Sequence, residues 1–147
     1  MHADAAELTT VIEEMVRLFR HVNPAGGLSL TSAATLASLD REGPARLTEL
    51  ATQQGVSQPA MTQLVTRLQD AGLAERVPDP DDGRVVRVHI TETGRAELAR
   101  RRVARIARLG TLFDRLSDGE RAALSAALPA IRALTQLAAE PHEGAAV

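Results

Sequence analysis

Residues 47–94 read LTELATQQGVSQPAMTQLVTRLQDAGLAERVPDPDDGRVVRVHITETG, and the fold is decided in this stretch. Thr48 can cap a helix running through Leu50 and Ala51 to Gln54, and Gly55 stands where a left-handed residue would end it. Ser57 can cap a second helix with Pro59 in its first turn, where the missing N–H costs little. Two helices joined by so short a turn, with small Ala51 for close packing, predict a helix-turn-helix. In the second helix Met61, Leu64, Val65, Leu68 and Ala71 fall on one face. Ser57, Gln58, Thr62, Gln63, Thr66 and Arg67 occupy the rest, a set rich in amides and hydroxyls. Glutamine can bond adenine bidentately in the major groove, and threonine can bond either base type or touch a thymine methyl. A merely solvated helix face is the plainer alternative, and the segment that follows argues against it.

Gly72 ends the helix and Leu73–Val77 reads as a short strand. The run Pro78-Asp79-Pro80-Asp81-Asp82-Gly83 forms a turn that neither helix nor strand tolerates. Arg84 then leads into a second strand, with Val86, Val88 and Ile90 alternating inward and Val85, Arg87 and His89 outward. The result is a β-hairpin attached to a reading helix.

This combination resembles the MarR family of bacterial winged-helix transcription regulators. The wing pattern of that family, roughly D-x-D-x-R followed by V-x-(L/I)-T-x-x-G, is matched by Asp82, Arg84, Val88, Ile90, Thr91 and Gly94. The resemblance implies a mostly α fold with a small β-hairpin wing, a winged helix-turn-helix flanked by N- and C-terminal dimerisation helices. It implies that Asp82 orders the wing and that Arg84 enters a minor groove. Ser57, Gln58, Thr62, Gln63, Arg67 and Arg84 are the expected DNA contacts. Two positions depart from the family: Gly83 and Gln63 stand where arginines are common, so site preference does not carry over from relatives.

The chain has 147 residues, no cysteine, tyrosine or tryptophan, and every basic side chain other than histidine is arginine. Disulfides, thiolate zinc sites, thiol switches, Schiff-base lysines and P-loop lysines are all excluded. That composition argues against most enzymes, whereas arginine suits guanine and phosphate recognition. The net charge of −2 hides an uneven distribution, since residues 41–108 carry twelve arginines against nine acids. The surplus lies in the reading head, and it is small enough that a few placed arginines matter more than a broad basic field.

Around the head, residues 5–22 are expected as a first helix with an apolar stripe of Leu8, Val11, Ile12, Met15, Leu18, Phe19 and Val22. Ser29–Leu39 is a second, packing through Leu30, Ala33, Ala34, Leu36 and Ala37. The residues after Pro44 are placed to add a minor strand to the wing. Thr91 can cap a long helix towards Leu116, with Arg101, Arg105 and Arg108 as a solvated stripe. Ser117-Asp118-Gly119-Glu120 is a capping box opening a last helix, which Pro129 should kink or divide. A disordered tail is expected from Pro141.

We expect one domain over residues 1–147: a winged-helix core at about 29–94, dimerisation helices at 1–28 and 95–140, and a tail at 141–147. The terminal helices carry more apolar surface than a winged helix needs, which calls for a partner; in the family it is a second copy of the chain. No apolar run is expected to approach the ~20 residues of a membrane span, no leader is apparent, and a cytoplasmic protein is expected.

No metal site or cofactor is expected. The acidic turn resembles a calcium loop, but Pro80 interrupts it and Ile90 takes the place of the closing glutamate. Gly55-Val56-Ser57-Gln58-Pro59 lacks the second glycine of a nucleophile elbow. The histidines, His2, His21, His89 and His142, have no ligand-like spacing, and His21 suits the negative end of its helix. The expected partners are a pseudo-palindromic duplex operator, a second copy of the chain, and a small aromatic or phenolic ligand of the kind relatives bind. Arg17, Phe19 and His21 are the candidate ligand residues, near the junction of the first two helices, the long helix and the head. The competing readings are a helix-turn-helix used only for protein–protein contact and, remotely, a hydrolase built on the acidic turn.

Overall fold

The computed structural model describes Asp4–Ala139. The element order is α1 (Ala5–Val22), α2 (Leu30–Glu42), β1 (Ala45–Arg46), α3 (Leu47–Gln54), α4 (Gln58–Asp70), β2 (Ala74–Pro78), β3 (Val86–Ile90), α5 (Glu92–Phe113) and α6 (Asp118–Ala139). This is the mostly helical winged-helix architecture expected, with the minor strand β1 present. The three strands form one antiparallel sheet in the order β1-β3-β2. Ala45 pairs with Val88 on one side, and Arg76 with Val88 on the other.

The chain divides into two units, 1–107 and 108–147. The core of the first unit joins Leu36 and Leu39 of α2, Leu50 and Ala51 of α3, Met61, Leu64, Val65 and Leu68 of α4, and Val88 and Ile90 of β3. Truncating a leucine in such a core costs about 2–5 kcal/mol. Gly94 seals the start of α5, because a Cβ there would collide with the Leu73 carbonyl and the Ile90 side chain.

Local signals account for most element ends. Ser57 Oγ accepts from Ala60 N at 3.3 Å, Pro59 lies in the first turn of α4, and Gly55 ends α3 at φ 64° and ψ 33°. Thr91 Oγ1 accepts from Gly94 N at 3.0 Å and donates to the Gly72 carbonyl at 2.6 Å, tying α5 to the end of α4. Ser117 and Glu120 form the reciprocal capping box, at 2.8 and 3.3 Å.

Several expectations are corrected. Thr48 does not cap α3; Leu47 already belongs to the helix, and Glu49 reaches back to the Arg46 N–H at 2.9 Å. Helix α2 continues to Glu42, and its buried face includes Ser32, Thr35 and Ser38. Thr35 is satisfied by donating to the Thr31 carbonyl at 2.8 Å, so a hydroxyl can occupy the core. Val86 is exposed, leaving Val88 and Ile90 as the inward pair. Helix α6 runs through Pro129 as one element, so of the two outcomes expected there division does not occur.

Helix α6 also has the length and composition to cross a membrane, with a mean hydropathy of 1.3 over its best window. The expectation that no run approaches a span is corrected on that point: the ten residues between Arg121 and Arg132 carry no charge. Its leucines and isoleucine recur every three or four residues, the spacing of a helix with one apolar side. The tail expected from Pro141, with His2 and His142, lies outside the described residues.

Candidate nucleic-acid interface and adjoining cavity

Helix α4 buries Met61, Leu64, Val65 and Leu68 and leaves Ser57, Gln58, Thr62, Gln63 and Arg67 exposed. The side chains of Gln58 and Gln63 are exposed, while the first-turn N–H groups of Ala60 and Met61 are taken by Ser57 Oγ and the Ser57 carbonyl. The hydroxyl of Thr62 is already donated to the Gln58 carbonyl at 3.0 Å and retains only acceptor capacity. All five residues are solvent-accessible, as is Arg84 at the tip of the wing, but Arg67 lies on the side of α4 that borders a groove with Leu28, Ser32 and Glu97.

The wing is ordered at two levels. Asp82 Oδ1 accepts from Arg84 N at 3.1 Å, and the Asp82 carbonyl accepts from Val85 N at 3.0 Å, which shapes the tip. Deeper in the turn, Asp79 is 6% exposed and takes Arg87 Nε on Oδ2 at 2.6 Å. Its Oδ1 accepts from Asp81 N at 2.9 Å. The Asp81 N–H bond, then the bond from Arg87, holds the Asp79 carboxyl below its ordinary value. Sequence reasoning assigned wing ordering to Asp82 and missed the Asp79–Arg87 clamp. The alternation of β3 was the available signal: Arg87 faces away from Val88, towards the turn.

A second feature lies behind the reading head. A cavity of about 460 Å³ is lined by Phe19 of α1, Ala33 and Ala37 of α2, and Leu98, Arg102 and Arg105 of α5, among others. Arg105 donates to Asn23 Oδ1 at 3.1 Å and stacks over the Phe19 ring at 4.5 Å. Burial, then the neighbouring Arg101 and Arg102 charges, pushes its guanidinium below the ordinary arginine value. Arg101 is 1% exposed and donates to the carbonyls of Gly26, Leu28 and Pro24 at 3.0, 3.3 and 3.4 Å. Among the described residues, the Nε atoms of Arg101 and Arg105 are buried without a hydrogen-bond partner.

The solvated arginine stripe expected on α5 is thus overturned at two of its three members. Arg101 is core and Arg105 half-buried, because the α1–α2 loop offers carbonyls and the Asn23 side chain as acceptors, while Arg108 is exposed as expected. Of the expected ligand residues, Phe19 lines the cavity. Arg17 and His21 do not; both are exposed, and Arg17 lies 3.9 Å from Glu14. Among the described residues no cluster of three potential metal ligands occurs.

The chain is 36% identical over 113 residues to an uncharacterized HTH-type transcriptional regulator of Mycobacterium bovis, a match covering 77% of each chain. The model of the MarR family matches residues 28–86. This chain belongs to the MarR family. The crystal structure of RV1404 from Mycobacterium tuberculosis is similar in fold at a TM-score of 0.77 and 24% identity, covering 98% of this chain and 100% of that one. BpsR of Bordetella bronchiseptica, whose DNA binding is regulated by 6-hydroxynicotinic acid, is similar at a TM-score of 0.60 and 22% identity, covering 90% and 96%. As a MarR-family member the chain is a DNA-binding transcription regulator, and the curated relatives are regulators, not enzymes.

Proposed function

We propose that the chain is a homodimeric repressor that occupies a pseudo-palindromic operator and leaves it when a small aromatic or phenolic acid binds. In this reading residues 1–147 act as one MarR-like domain. Helix α4 enters the major groove with Gln58, Thr62 and Gln63 at base edges, while Ser57 and Arg67 meet phosphate. Arg84 enters the flanking minor groove, with Asp82 holding the tip in shape.

Exposed apolar side chains support the dimer. Val11, Ile12, Met15 and Val16 of α1, and Leu124, Leu128 and Leu134 of α6, each keep about 40–50% of their surface in solvent. Such side chains gain roughly 25 cal/mol per Å² when covered, so a second copy is the natural occupant. Two heads related by a two-fold axis would bind half-sites about one helical turn apart.

The observation that carries ligand release is the cavity beside Arg105. Its walls are largely alanine, leucine and phenylalanine, while Arg101, Arg102 and Arg105 gather positive charge at one side. A carboxylate on a flat apolar body offsets that repulsion and satisfies the unpartnered donors. BpsR, responsive to a hydroxylated aromatic acid, is a parallel in fold. A ligand there would bias the spacing of the two α4 helices, and the operator fixes that spacing. Footprinting on the DNA beside its own gene, repeated with salicylate, tests the proposal. A two-lobed footprint lost with salicylate is expected; a monomer by light scattering, or a footprint indifferent to a panel of aromatic acids, would overturn the respective part.

A further inference from the structure

Arg76 of β2 is half-buried and reaches out of the sheet to the reading helix. Its Nη1 donates to Gln69 Oε1 at 2.7 Å, and its Nη2 donates to Thr66 Oγ1 at 3.0 Å and to the Thr62 carbonyl at 3.3 Å. Thr66 donates its own hydroxyl hydrogen to the Thr62 carbonyl at 2.9 Å, so its oxygen is left to accept from Arg76. Residues 62, 66 and 69 lie at steps of four and three along one stripe of α4. One guanidinium therefore spans two turns of the helix.

The other end of Arg76 is equally constrained. It pairs with Val88 across the antiparallel ladder, and Val88 is fully buried in the central strand. Directly opposed residues project from the same face, so Arg76 starts beside the core and turns to the flank of α4. Apolar contact through Met61, Leu64, Val65 and Leu68 holds α4 on the head, but such contact is non-directional. The Arg76 bonds are directional and lie to one side, so they set the rotation of α4 about its axis relative to the wing.

We infer that Arg76 is a positioning residue for sequence reading, holding α4 in register with the wing so that base contacts and the Arg84 contact form together. The inference rests on the DNA-reading roles of α4 and the wing proposed above, and on no particular operator. The partners of Arg76 among the described residues are an amide, a hydroxyl and a carbonyl, all uncharged, so direct phosphate contact is the competing role, and the two differ in a measurable way. A phosphate contact contributes to all DNA alike and to the salt dependence, whereas a positioning residue contributes to discrimination.

The test uses the full chain, a duplex enriched by the wild-type protein from a randomised pool, and a shuffled duplex of equal composition. Binding of both is titrated at several salt concentrations for wild type, for Arg76→Ala, and for the double variant Thr66→Val with Gln69→Ala. The double variant keeps the arginine charge but changes two exposed side chains of α4, so a loss of ratio in it that Arg76→Ala does not share identifies direct base reading by Thr66 or Gln69 and overturns the inference. Positioning predicts that both variants lose about tenfold or more of the affinity ratio between the duplexes, with the salt slope of the double variant unchanged. A double variant that keeps the wild-type ratio overturns the inference. In that case, a uniform loss with a slope flattened by about one in Arg76→Ala identifies a phosphate contact; a lowered melting temperature alone identifies a brace of stability only. A wild-type protein that enriches no duplex overturns the DNA-reading proposal itself, and this inference with it.

Discussion

The guanidinium of Arg105 sits 4.5 Å above the ring centroid of Phe19, joining α5 to α1 at the wall of the cavity. A cation over an aromatic face gains about 0.5–2 kcal/mol, more as water is excluded. Salicylate is expected to raise the melting temperature of wild type and to release DNA over the same concentration range. Arg105→Ala should abolish both responses while leaving DNA binding without salicylate intact. Differential scanning fluorimetry with parallel anisotropy checks this, and an undiminished response in the variant would place the ligand elsewhere.

Arg101 is expected to matter for stability as well as for the charge at the cavity wall. Replacing it by Met fills much of the volume but takes the donor from the Leu28 and Pro24 carbonyls, while the Gly26 carbonyl keeps the Leu28 N–H at 3.1 Å. Leaving buried acceptors unsatisfied costs about 1–3 kcal/mol each, partly relieved by water at the loop. A total loss of about 2–4 kcal/mol in urea unfolding is expected. A loss below about 0.5 kcal/mol would show that the loop re-solvates freely.

Gln63 and Arg84 are expected to fail in different ways. Gln63→Ala should cost about 1–3 kcal/mol on the preferred duplex and relax base choice at one position. Arg84→Ala should weaken all duplexes and flatten the salt slope by up to about one. Equal weakening of preferred and random DNA by Gln63→Ala would remove Gln63 from base reading, and an unchanged slope in Arg84→Ala would place the wing away from DNA.

Asp79 makes a pH prediction. Its carboxyl is held below the ordinary aspartate value by the Asp81 N–H and Arg87, so the native state prefers the ionised form. A group whose pKa is depressed on folding stabilises above its unfolded pKa, and that contribution fades as pH falls through the folded value. Wild type should therefore lose stability as pH drops below about 4. Asp79→Asn should be less stable at neutral pH and show a shallower acid limb. Parallel acid limbs in thermal melts would contradict the clamp.

The reading head was legible because its signals are local. Ser57, Pro59, Gly55 and Thr91 act within one or two turns of themselves, and the alternation of Val88 and Ile90 needs only a neighbouring strand. Helix boundaries, the wing and the exposed set on α4 follow from those short-range rules. Where a local signal misled, as at Thr48, a competing local partner, Glu49, took the role.

Roles that depend on a distant partner were decided by tertiary structure alone. Arg101, Arg105 and Arg108 share a helical stripe, and periodicity assigns all three the same solvated role. Which arginine becomes core depends on carbonyls some 73–77 residues earlier in the chain, at Pro24, Gly26 and Leu28. Asp79 and Asp82 look alike in an acidic turn, and only the seating of Arg87 makes one of them the clamp. Arg76 reads as an ordinary strand residue until the packing of β2 brings Gln69 and Thr66 within its reach. A charged side chain buries itself only where acceptors converge in space, and that convergence belongs to the fold rather than to any window of sequence.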